Sequence, residues 1–349
     1  MSDTVLVAAK TVEGAIGEVL RRRGVPEADA RAAACGLVGA NLRGVDTHGL
    51  SCLPDYAKAL DEKRLKATPA MTVERRLPWA ATLDADNGLG PVAATRAMEL
   101  ALESADRLGV GAVAVRRSNH FGAAGVYAAM AAERGCVGIV TANASSVCAP
   151  FGAAVPLLGT NPLAVAVPAG RYPAFVLDMA TSEGSRKKVR KALAEGKTIP
   201  SGWALGPDGR PTTDPQAALD GVMLPFGGVK GAGVTLLMDI LSGVLTGAEF
   251  GGRVLSVMTN QERESGNGHF VLAFKVSAFM PDEEFRARMD EEIARLKALP
   301  PAAGFDEVMY PGEREWRIEA ERSAKGIPLP RSLVKEVVAL GGEGLPAEV

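Results

Sequence analysis

The 349-residue sequence contains few aromatic residues, few cysteines and almost no net charge. Its four cysteines form no Cys-x-x-Cys pair and have no spacing typical of a metal site, which favours reduced thiols in a cytoplasm. A net charge of −2 gives no electrostatic reason to bind nucleic acid or an anionic membrane. No uninterrupted apolar run is long enough to span a membrane, and the first residues lack the basic and apolar segments of a secretory signal. We therefore expect a cytoplasmic protein that binds neither nucleic acid nor membranes.

Glycine is plentiful, with 40 residues that stand at the edges of motifs rather than in a linker. This distribution predicts many tight turns and close approaches of the backbone. The content of 47% hydrophobic and 23% charged residues is typical of a globular protein. The length indicates two domains, or one large domain with appendages.

Hydrophobic periodicity predicts helices near both chain ends and an α/β region in the middle, with a boundary near residue 75. The predicted strands are 80–85, 111–115, 137–142, 163–167, 175–178 and 269–276. The predicted helices of the middle region are 91–108, 122–134, 182–194 and 231–246, and residues 199–220 are expected to form a long ordered loop.

Residues 88–94 match the G-x-G-x-x-A pattern of a dinucleotide-binding turn and open a predicted helix. Pro91 removes an amide that a phosphate would use. The acidic partner of the ribose is expected about 20 residues further on, at the end of a second strand. In this sequence that distance falls within the helix or at its end, near Asp106. We therefore expect a turn and a helix start at this position.

Residues 227–233 combine several glycines, Lys230 and a helix start. The spacing is not that of a P-loop, because the outer glycines are misplaced and no Ser or Thr follows the lysine. Backbone amides and one cation could still hold a phosphate. The sequence equally allows a tight turn with a solvated lysine.

Two of the three histidines, His48 and His120, lie in glycine-flanked polar motifs, RGVDTHG (43–49) and SNHFG (118–122). Histidine has the side chain best suited to donate or accept protons near neutral pH. Asp178 ends an apolar strand, where a carboxylate needs a partner; it could cap the next helix or serve a histidine. His269 stands at a strand start and is expected to be structural. The pattern predicts an acid–base site, with a two-His-one-carboxylate metal site as the alternative.

These motifs resemble the malate/L-lactate dehydrogenase family that is distinct from the Rossmann-type enzymes. The family includes ureidoglycolate, sulfolactate and diketogulonate dehydrogenases and piperideine-2-carboxylate reductases. The resemblance covers almost the whole chain, because similar segments follow one another in the family's order. Besides the two histidine motifs they are residues 160–162, 178–182, 200–204, 211–215, 224–233, 267–270 and 310–313.

The resemblance implies an α/β fold with a non-Rossmann NAD(P)-binding sheet domain and a helical domain built from both chain ends. The expected division is 1–75 with 282–349 for the helical domain and 76–281 for the cofactor-binding domain. It also implies a homodimer with the active site near the subunit contact. The implied activity is hydride transfer between NAD or NADP and a small 2-hydroxy or 2-keto acid, or a cyclic 2-imino acid. A metalloenzyme and a non-catalytic ligand-binding relative are the alternatives.

The resemblance also assigns roles to individual residues, without any metal ligand. The catalytic group is His48, His120 and Asp178. The substrate, a small carboxylate, is expected to contact Arg43, Thr47, His48 and His120. The cofactor is expected to contact Asn143, Ser145, Asp178, Met179, Ala180, Lys230, Pro311, Gly312 and Glu313.

Three positions depart from the family pattern. Thr47 replaces a serine of many relatives, and its extra methyl narrows the pocket. Cys52 replaces an arginine suited to a carboxylate, and a thiol cannot replace that bidentate cation. Carboxylate recognition is therefore expected to move to Arg43, Lys230 or backbone amides, or the substrate differs. In the segment SRKK (185–188), a cation precedes the lysine where glycine is commoner. It could meet a 2′-phosphate, but we expect a solvated helix face.

Overall fold

The computed structural model describes residues 4–260 and 263–346, so the outermost residues of the predicted helical domain lie outside it. The helices are α1 (Ala9–Arg21), α2 (Glu27–Leu42), α3 (Leu53–Asp61), α4 (Gly90–Leu108), α5 (Ala124–Glu133), α6 (Arg186–Ala194), α7 (Pro215–Asp220), α8 (Val229–Asp239), α9 (Asp282–Lys297), α10 (Glu313–Lys325) and α11 (Arg331–Ala339). The strands are β1 (Thr4–Val7), β2 (Thr72–Leu77), β3 (Ala80–Asp84), β4 (Val110–Ser118), β5 (Cys136–Ala142), β6 (Leu163–Val167), β7 (Phe175–Met179), β8 (Ala204–Leu205), β9 (Val222–Met223), β10 (Asn267–Lys275) and β11 (Ile327–Pro330).

The central sheet has seven strands in the order β2-β3-β4-β10-β5-β6-β7. Only β3 and β4 run parallel, joined by α4, and all other neighbours are antiparallel. A doubly wound dinucleotide-binding sheet is mostly parallel. The fold is therefore α/β and of a non-Rossmann kind, which confirms the predicted fold class.

Helix α5 packs very closely on the sheet, because the strand beneath it contains a glycine. A Cβ atom on Gly138 of β5 would lie 2.5 Å from the Cβ atom of Ala131. The alanine-rich face of α5, including Ala128, is buried against this strand. The close contact fixes the position of the α5 N-terminus, which borders the cavity described below.

The two chain ends share one hydrophobic core. Strands β1 and β11 pair antiparallel, with Val5 opposite Leu329. The buried core beneath them combines residues of α1, α2 and α3 with Val334 and Val337 of α11. Helix α9 belongs to a separate cluster, in which Ile293 packs with Tyr310. The exact division into two domains stays a prediction.

Several elements differ from those predicted. Strand β2 is exposed along its whole length, so it lacks the alternation that indicates a strand. Strands β1 and β11 are only four residues long and were not predicted. The stretch 199–220, predicted as a loop, contains β8 and α7. Helix α8 begins two residues before its predicted start and continues as a π-helical turn, Ile240–Val244.

No helix in the described part of the chain is both long enough and apolar enough to cross a bilayer.

Candidate active site

A cavity of about 350 Å³ lies between the core of the chain ends and the sheet. This volume lies within the usual range of small-molecule pockets. Seven parts of the chain surround it: the end of α2 with the following turn, the loop into α5, the end of β5, the loop before β6, the end of β7, the start of β10 and the segment that leads into α10. His48, His120 and Asp178, far apart in sequence, all line it.

His48 lies in a short 3₁₀ turn between α2 and α3, and a buried polar network holds this turn in place. Asn41 donates to Asp46 (2.7 Å) and accepts from the Leu50 amide (2.7 Å). A Cβ atom on Gly49 would lie 2.2 Å from the Asn41 Oδ1 atom, so this position requires glycine. Steric contact with Asn41 therefore explains why a glycine, Gly49, follows His48.

His120 follows β4, and a buried tyrosine controls its orientation. The Tyr56 hydroxyl lies 2.7 Å from His120 Nδ1 and donates to the His120 carbonyl (3.0 Å). Because a carbonyl oxygen only accepts, this pattern favours a proton on Nδ1 that is donated to Tyr56. The Nε2 atom is then an acceptor. Tyr56 was not identified from the sequence, where it reads as an ordinary residue at the start of a short helix.

The G-x-G-x-x-A segment supports the His120 loop by close packing. A Cβ atom on Gly90 would lie 2.2 Å from the His120 carbonyl oxygen. Asn119 donates to the Gly88 carbonyl oxygen (2.8 Å). The segment forms the turn and helix start that its sequence predicts, since Leu89 precedes α4.

The two imidazole rings are stacked, with centroids 5.6 Å apart and planes inclined by 26°. Burial, followed by the charge of Lys187, lowers the pKa of His48 to about 4. Burial also lowers the pKa of His120 to about 3, helped by His48, Lys187 and His269. Both rings are therefore neutral at pH 7 and can accept a proton.

Asp178 lines the cavity from the end of β7. Its Oδ2 atom accepts from the Gly125 amide (2.8 Å), so it caps the N-terminus of α5 rather than the helix that follows it in sequence. A Cβ atom on Gly125 would lie 2.8 Å from that oxygen. Surrounding protein raises the pKa of Asp178, opposed by the Gly125 amide and the charge of Arg43.

Arg43 lines the cavity but is already engaged by other groups. It lies over the Trp316 ring (4.5 Å), pairs with Glu319 (3.3 Å) and donates to the Gly125 carbonyl (3.1 Å). Thr47 does not line the cavity, and its hydroxyl lies 2.8 Å from His48 Nδ1.

The predicted cofactor residues fall into two sets. Asn143, Asp178, Ala180, Pro311 and Gly312 line the cavity, whereas Ser145, Met179, Lys230 and Glu313 do not. The sequence assigned all nine residues to the cofactor, but only the first set lies at the cavity. The roles of both sets stay predictions.

The charged members of the second set have other surroundings. Glu313 is bound to Lys297 (2.6 Å) and Arg317, so its carboxylate belongs to a structural ion-pair cluster. Lys230 is exposed in the first turn of α8. Glu315, two residues beyond Glu313, lines the cavity instead.

His269 is fully buried and forms part of the cavity wall. Its Nε2 atom lies 2.8 Å from the Ser118 hydroxyl, and its ring stacks on Phe121 with a centroid distance of 4.5 Å. These contacts fit the expected structural role. Within residues 4–260 and 263–346, no cluster of His, Cys, Asp and Glu is suited to hold a metal ion.

Lys187 is a residue near the site that the sequence reasoning missed. Its Nζ atom donates to the Thr47 carbonyl (2.9 Å), which joins α6 to the turn that carries His48. The basic segment 185–188 was the available signal, but it was expected to be a solvated helix face. Cys52 is buried close to this turn, and burial raises the pKa of its thiol to about 11.

Comparisons with known proteins agree with this fold. The sequence profile of a family described as malate/L-lactate dehydrogenase matches residues 7–338. The chain is 40% identical over 326 residues to the L-sulfolactate dehydrogenase of Methanocaldococcus jannaschii, covering 93% of each chain. The solved structure of a sulfolactate dehydrogenase from that organism matches with a TM-score of 0.92 and 38% identity, covering 97% of each chain.

Two further relatives carry a cofactor in their names. The ureidoglycolate dehydrogenase (NAD(+)) of Escherichia coli K12 is 32% identical and covers 95% of each chain. The (2R)-3-sulfolactate dehydrogenase (NADP(+)) of Chromohalobacter salexigens is 35% identical, covering 96% of this chain and 97% of the relative. These findings define the class as a nicotinamide-dependent dehydrogenase, which confirms the predicted enzyme class and cofactors. The chain belongs to the malate/L-lactate dehydrogenase family, as its motifs predicted.

Proposed function

We propose that the protein transfers hydride reversibly between NAD or NADP and a small 2-hydroxy acid or its 2-keto acid. The observation that carries this proposal is the meeting of two stacked, neutral imidazoles and a carboxylate on one cavity of about 350 Å³. A cyclic 2-imino acid is a second substrate class, because reduction of its C=N bond needs the same hydride and proton.

The cavity suits the reactive half of the cofactor. Its volume accommodates a nicotinamide ring beside a small acid, but not a complete dinucleotide. Asn119 is one of the lining residues. Its Oδ1 atom is buried and has no hydrogen-bond partner among the described residues, so it could accept from an amide group. Ala180, Pro311 and Gly312, which have small side chains or none, line the cavity together with Asp178 and leave room for a flat ring. When bound, the nicotinamide accepts or supplies hydride at C4.

Proton transfer falls to the imidazoles. In the oxidative direction the substrate hydroxyl must lose a proton as its carbon loses hydride. We assign His48 as the general base, and the Nε2 atom of His120 as the acceptor that holds the hydroxyl. Asp178 bonds the Gly125 amide, which favours its role in orienting the cofactor. In the reductive direction His48 must first take up a proton, which it then gives to the developing alkoxide.

The activity is tested by absorbance at 340 nm with NAD(H) and NADP(H) and a panel of acids. The panel contains lactate, malate, sulfolactate, ureidoglycolate, the corresponding keto acids and a cyclic imino acid. We expect turnover of at least one acid, and we expect His48→Asn to lower kcat by about 10²–10⁴ while cofactor binding persists. Cofactor binding without turnover of any acid would favour the non-catalytic alternative. Activity that depends on an iron or zinc ion found by elemental analysis would favour the metalloenzyme.

We also propose that the protein works as a cytoplasmic homodimer. The outer face of α8 and its π-helical extension exposes a group of large apolar side chains, namely Leu236, Leu237, Ile240, Val244 and Leu245. Monomeric proteins rarely expose such a continuous apolar patch. Light scattering after size-exclusion chromatography measures the mass and tests this assembly.

A further inference from the structure

The cavity needs a cation that its two neutral imidazoles do not supply. A 2-hydroxy acid carries a carboxylate on the carbon next to its hydroxyl. Whichever group binds that carboxylate must therefore lie close to the imidazole that exchanges the proton. An anion in a partly buried pocket requires a charged partner or several hydrogen-bond donors.

The groups expected to bind this carboxylate are unsuited or remote. Arg43 is engaged by Glu319, by the Gly125 carbonyl and by the Trp316 ring, and its charge acts on Asp178. Lys230 lies in the first turn of α8, and no hydrogen bond within the described residues joins it to the turn that carries His48. The Cys52 thiol is neutral, because burial raises its pKa to about 11.

Lys187 is also exposed and does not line the cavity, but it contacts the turn that carries His48. Its Nζ atom lies 2.9 Å from the carbonyl oxygen of Thr47, the residue directly before His48. In the part of the chain that the structure describes, Lys187 forms no salt bridge, but its charge opposes the burial that raises the pKa of Asp55, so that carboxylate lies nearby. An ammonium group has three N–H donors, and only one is occupied by Thr47. Its charge also acts on both rings. Burial is the main cause of the lowered pKa values of His48 and His120, and the charge of Lys187 lowers both further.

We propose that Lys187 binds the carboxylate of the 2-hydroxy acid substrate beside His48. This inference rests on the function proposed above and deepens it by naming the group that recognises the acid. The first turn of α6 carries Lys187 to the turn 46–48, where its ammonium binds the backbone of the residue directly before the acid–base histidine. The competing ligand for this lysine is a phosphate of the cofactor, and the experiment separates the two anions.

The test compares Lys187→Met with Lys187→Arg and with Lys191→Met. Lys191 lies one turn further along α6, is 76% exposed and pairs only with Glu195, so its variant is a matched control. Loss of a hydrogen bond between charged groups predicts a KM for the acid raised by about 10- to 100-fold in Lys187→Met. We expect kcat to change less, the Kd of NADH or NADPH to stay within twofold, Lys187→Arg to recover most of the affinity, and Lys191→Met to match the wild type.

Binding of oxamate, an unreactive analogue of pyruvate, to the cofactor-loaded enzyme gives a readout that does not depend on turnover. Calorimetry should show the same loss of affinity in Lys187→Met as the KM values show. Unchanged KM and oxamate affinity in an otherwise active Lys187→Met enzyme would overturn this inference alone. A weakened cofactor Kd with unchanged oxamate affinity would assign Lys187 to a phosphate and would also overturn it. A wild-type enzyme that oxidises none of the acids would overturn the proposed function and this inference together.

Discussion

Replacing Tyr56 by phenylalanine removes the hydroxyl that holds His120 in place. That hydroxyl lies 2.7 Å from Nδ1 and 3.0 Å from the carbonyl oxygen of His120, and Tyr56 is only 1% exposed. The benzene ring of phenylalanine fills the same space, so the packing of α3 is retained. The change therefore isolates the two hydrogen bonds and leaves the Nδ1–H donor and the carbonyl acceptor without their partner.

The expected magnitude follows from the cost of unsatisfied polar groups. Each buried donor or acceptor without a partner costs about 1–3 kcal/mol. Because water from the cavity can reach the His120 ring, we take the lower end and expect the free energy of unfolding to fall by about 1–2 kcal/mol. The ring also loses the bond that fixes its tautomer, so Nε2 is no longer held as an acceptor. We expect kcat to fall by about tenfold, because misorienting one proton-transfer partner loses part of a 10²–10⁴ effect.

Tyr127→Phe is the matched control for this experiment. Tyr127 is also 1% exposed, and its hydroxyl donates to the backbone carbonyl of Phe121 (2.5 Å) rather than to an imidazole. Urea denaturation should show a similar loss of stability in both variants, whereas kcat should fall only in Tyr56→Phe. Equal kcat values in the two variants would refute the role assigned to Tyr56, and an unchanged stability would refute the hydrogen-bond assignment itself.

Two further predictions concern pH and the α5 N-terminus. The pKa values of His48 and His120 are lowered to about 4 and about 3, so the unfolded chain binds more protons below its ordinary histidine pKa of about 6.5. The stability that these neutral rings contribute is therefore complete above about pH 6.5, and it is lost as the pH falls towards 4 and then 3. Urea denaturation between pH 7.5 and 4 measures this loss. His48→Asn should flatten that dependence, and an equally steep curve in this variant would contradict the assignment. Gly125→Ala would place a methyl group 2.8 Å from the Asp178 carboxylate, and we expect a loss of about 1–3 kcal/mol in stability together with weaker NADH binding. Gly14→Ala, with no atom within 4 Å in α1, should instead stabilise the protein by up to about 1 kcal/mol, and the same change in both variants would contradict the steric argument.

The parts of the site that the sequence predicted are those with local causes. The motifs around His48 and His120 were recognisable because glycines flank them. The steric reason for Gly49 is local, since it meets Asn41, whereas Gly122 packs against the distant carbonyl oxygen of His48. The turn at residues 88–90 was predicted from Pro91 and the spacing of the helix. Strands β5, β6 and β7 were found by their apolar runs, because buried strands carry that signal in a few adjacent residues.

The parts that escaped prediction depend on contacts between distant residues. Tyr56 and His120 are 64 positions apart, and Lys187 and Thr47 are 140 apart. Neither periodicity nor composition reports such a contact, so a tyrosine in a helix and a lysine in a basic segment looked ordinary. The same limit applies to the sheet, since β10 lies between β4 and β5 although more than 120 residues separate it from β5 in the sequence.

The residues that line the cavity are carried by two different hydrophobic cores. The hydrogen bonds that cross between these cores therefore set the geometry of the site. His48 and Tyr56 are carried by elements of the core that the chain ends share, whereas His120 follows β4 and Asp178 lies in β7 of the central sheet. The distance between the acid–base group and the cofactor side therefore depends on bonds that cross between the cores. Tyr56 to His120 is one such bond, and Arg43 to the Gly125 carbonyl is another. A catalytic group held to about 0.5 Å needs such supports, so substitutions at these crossing bonds should lower kcat more than equally destabilising substitutions within either core.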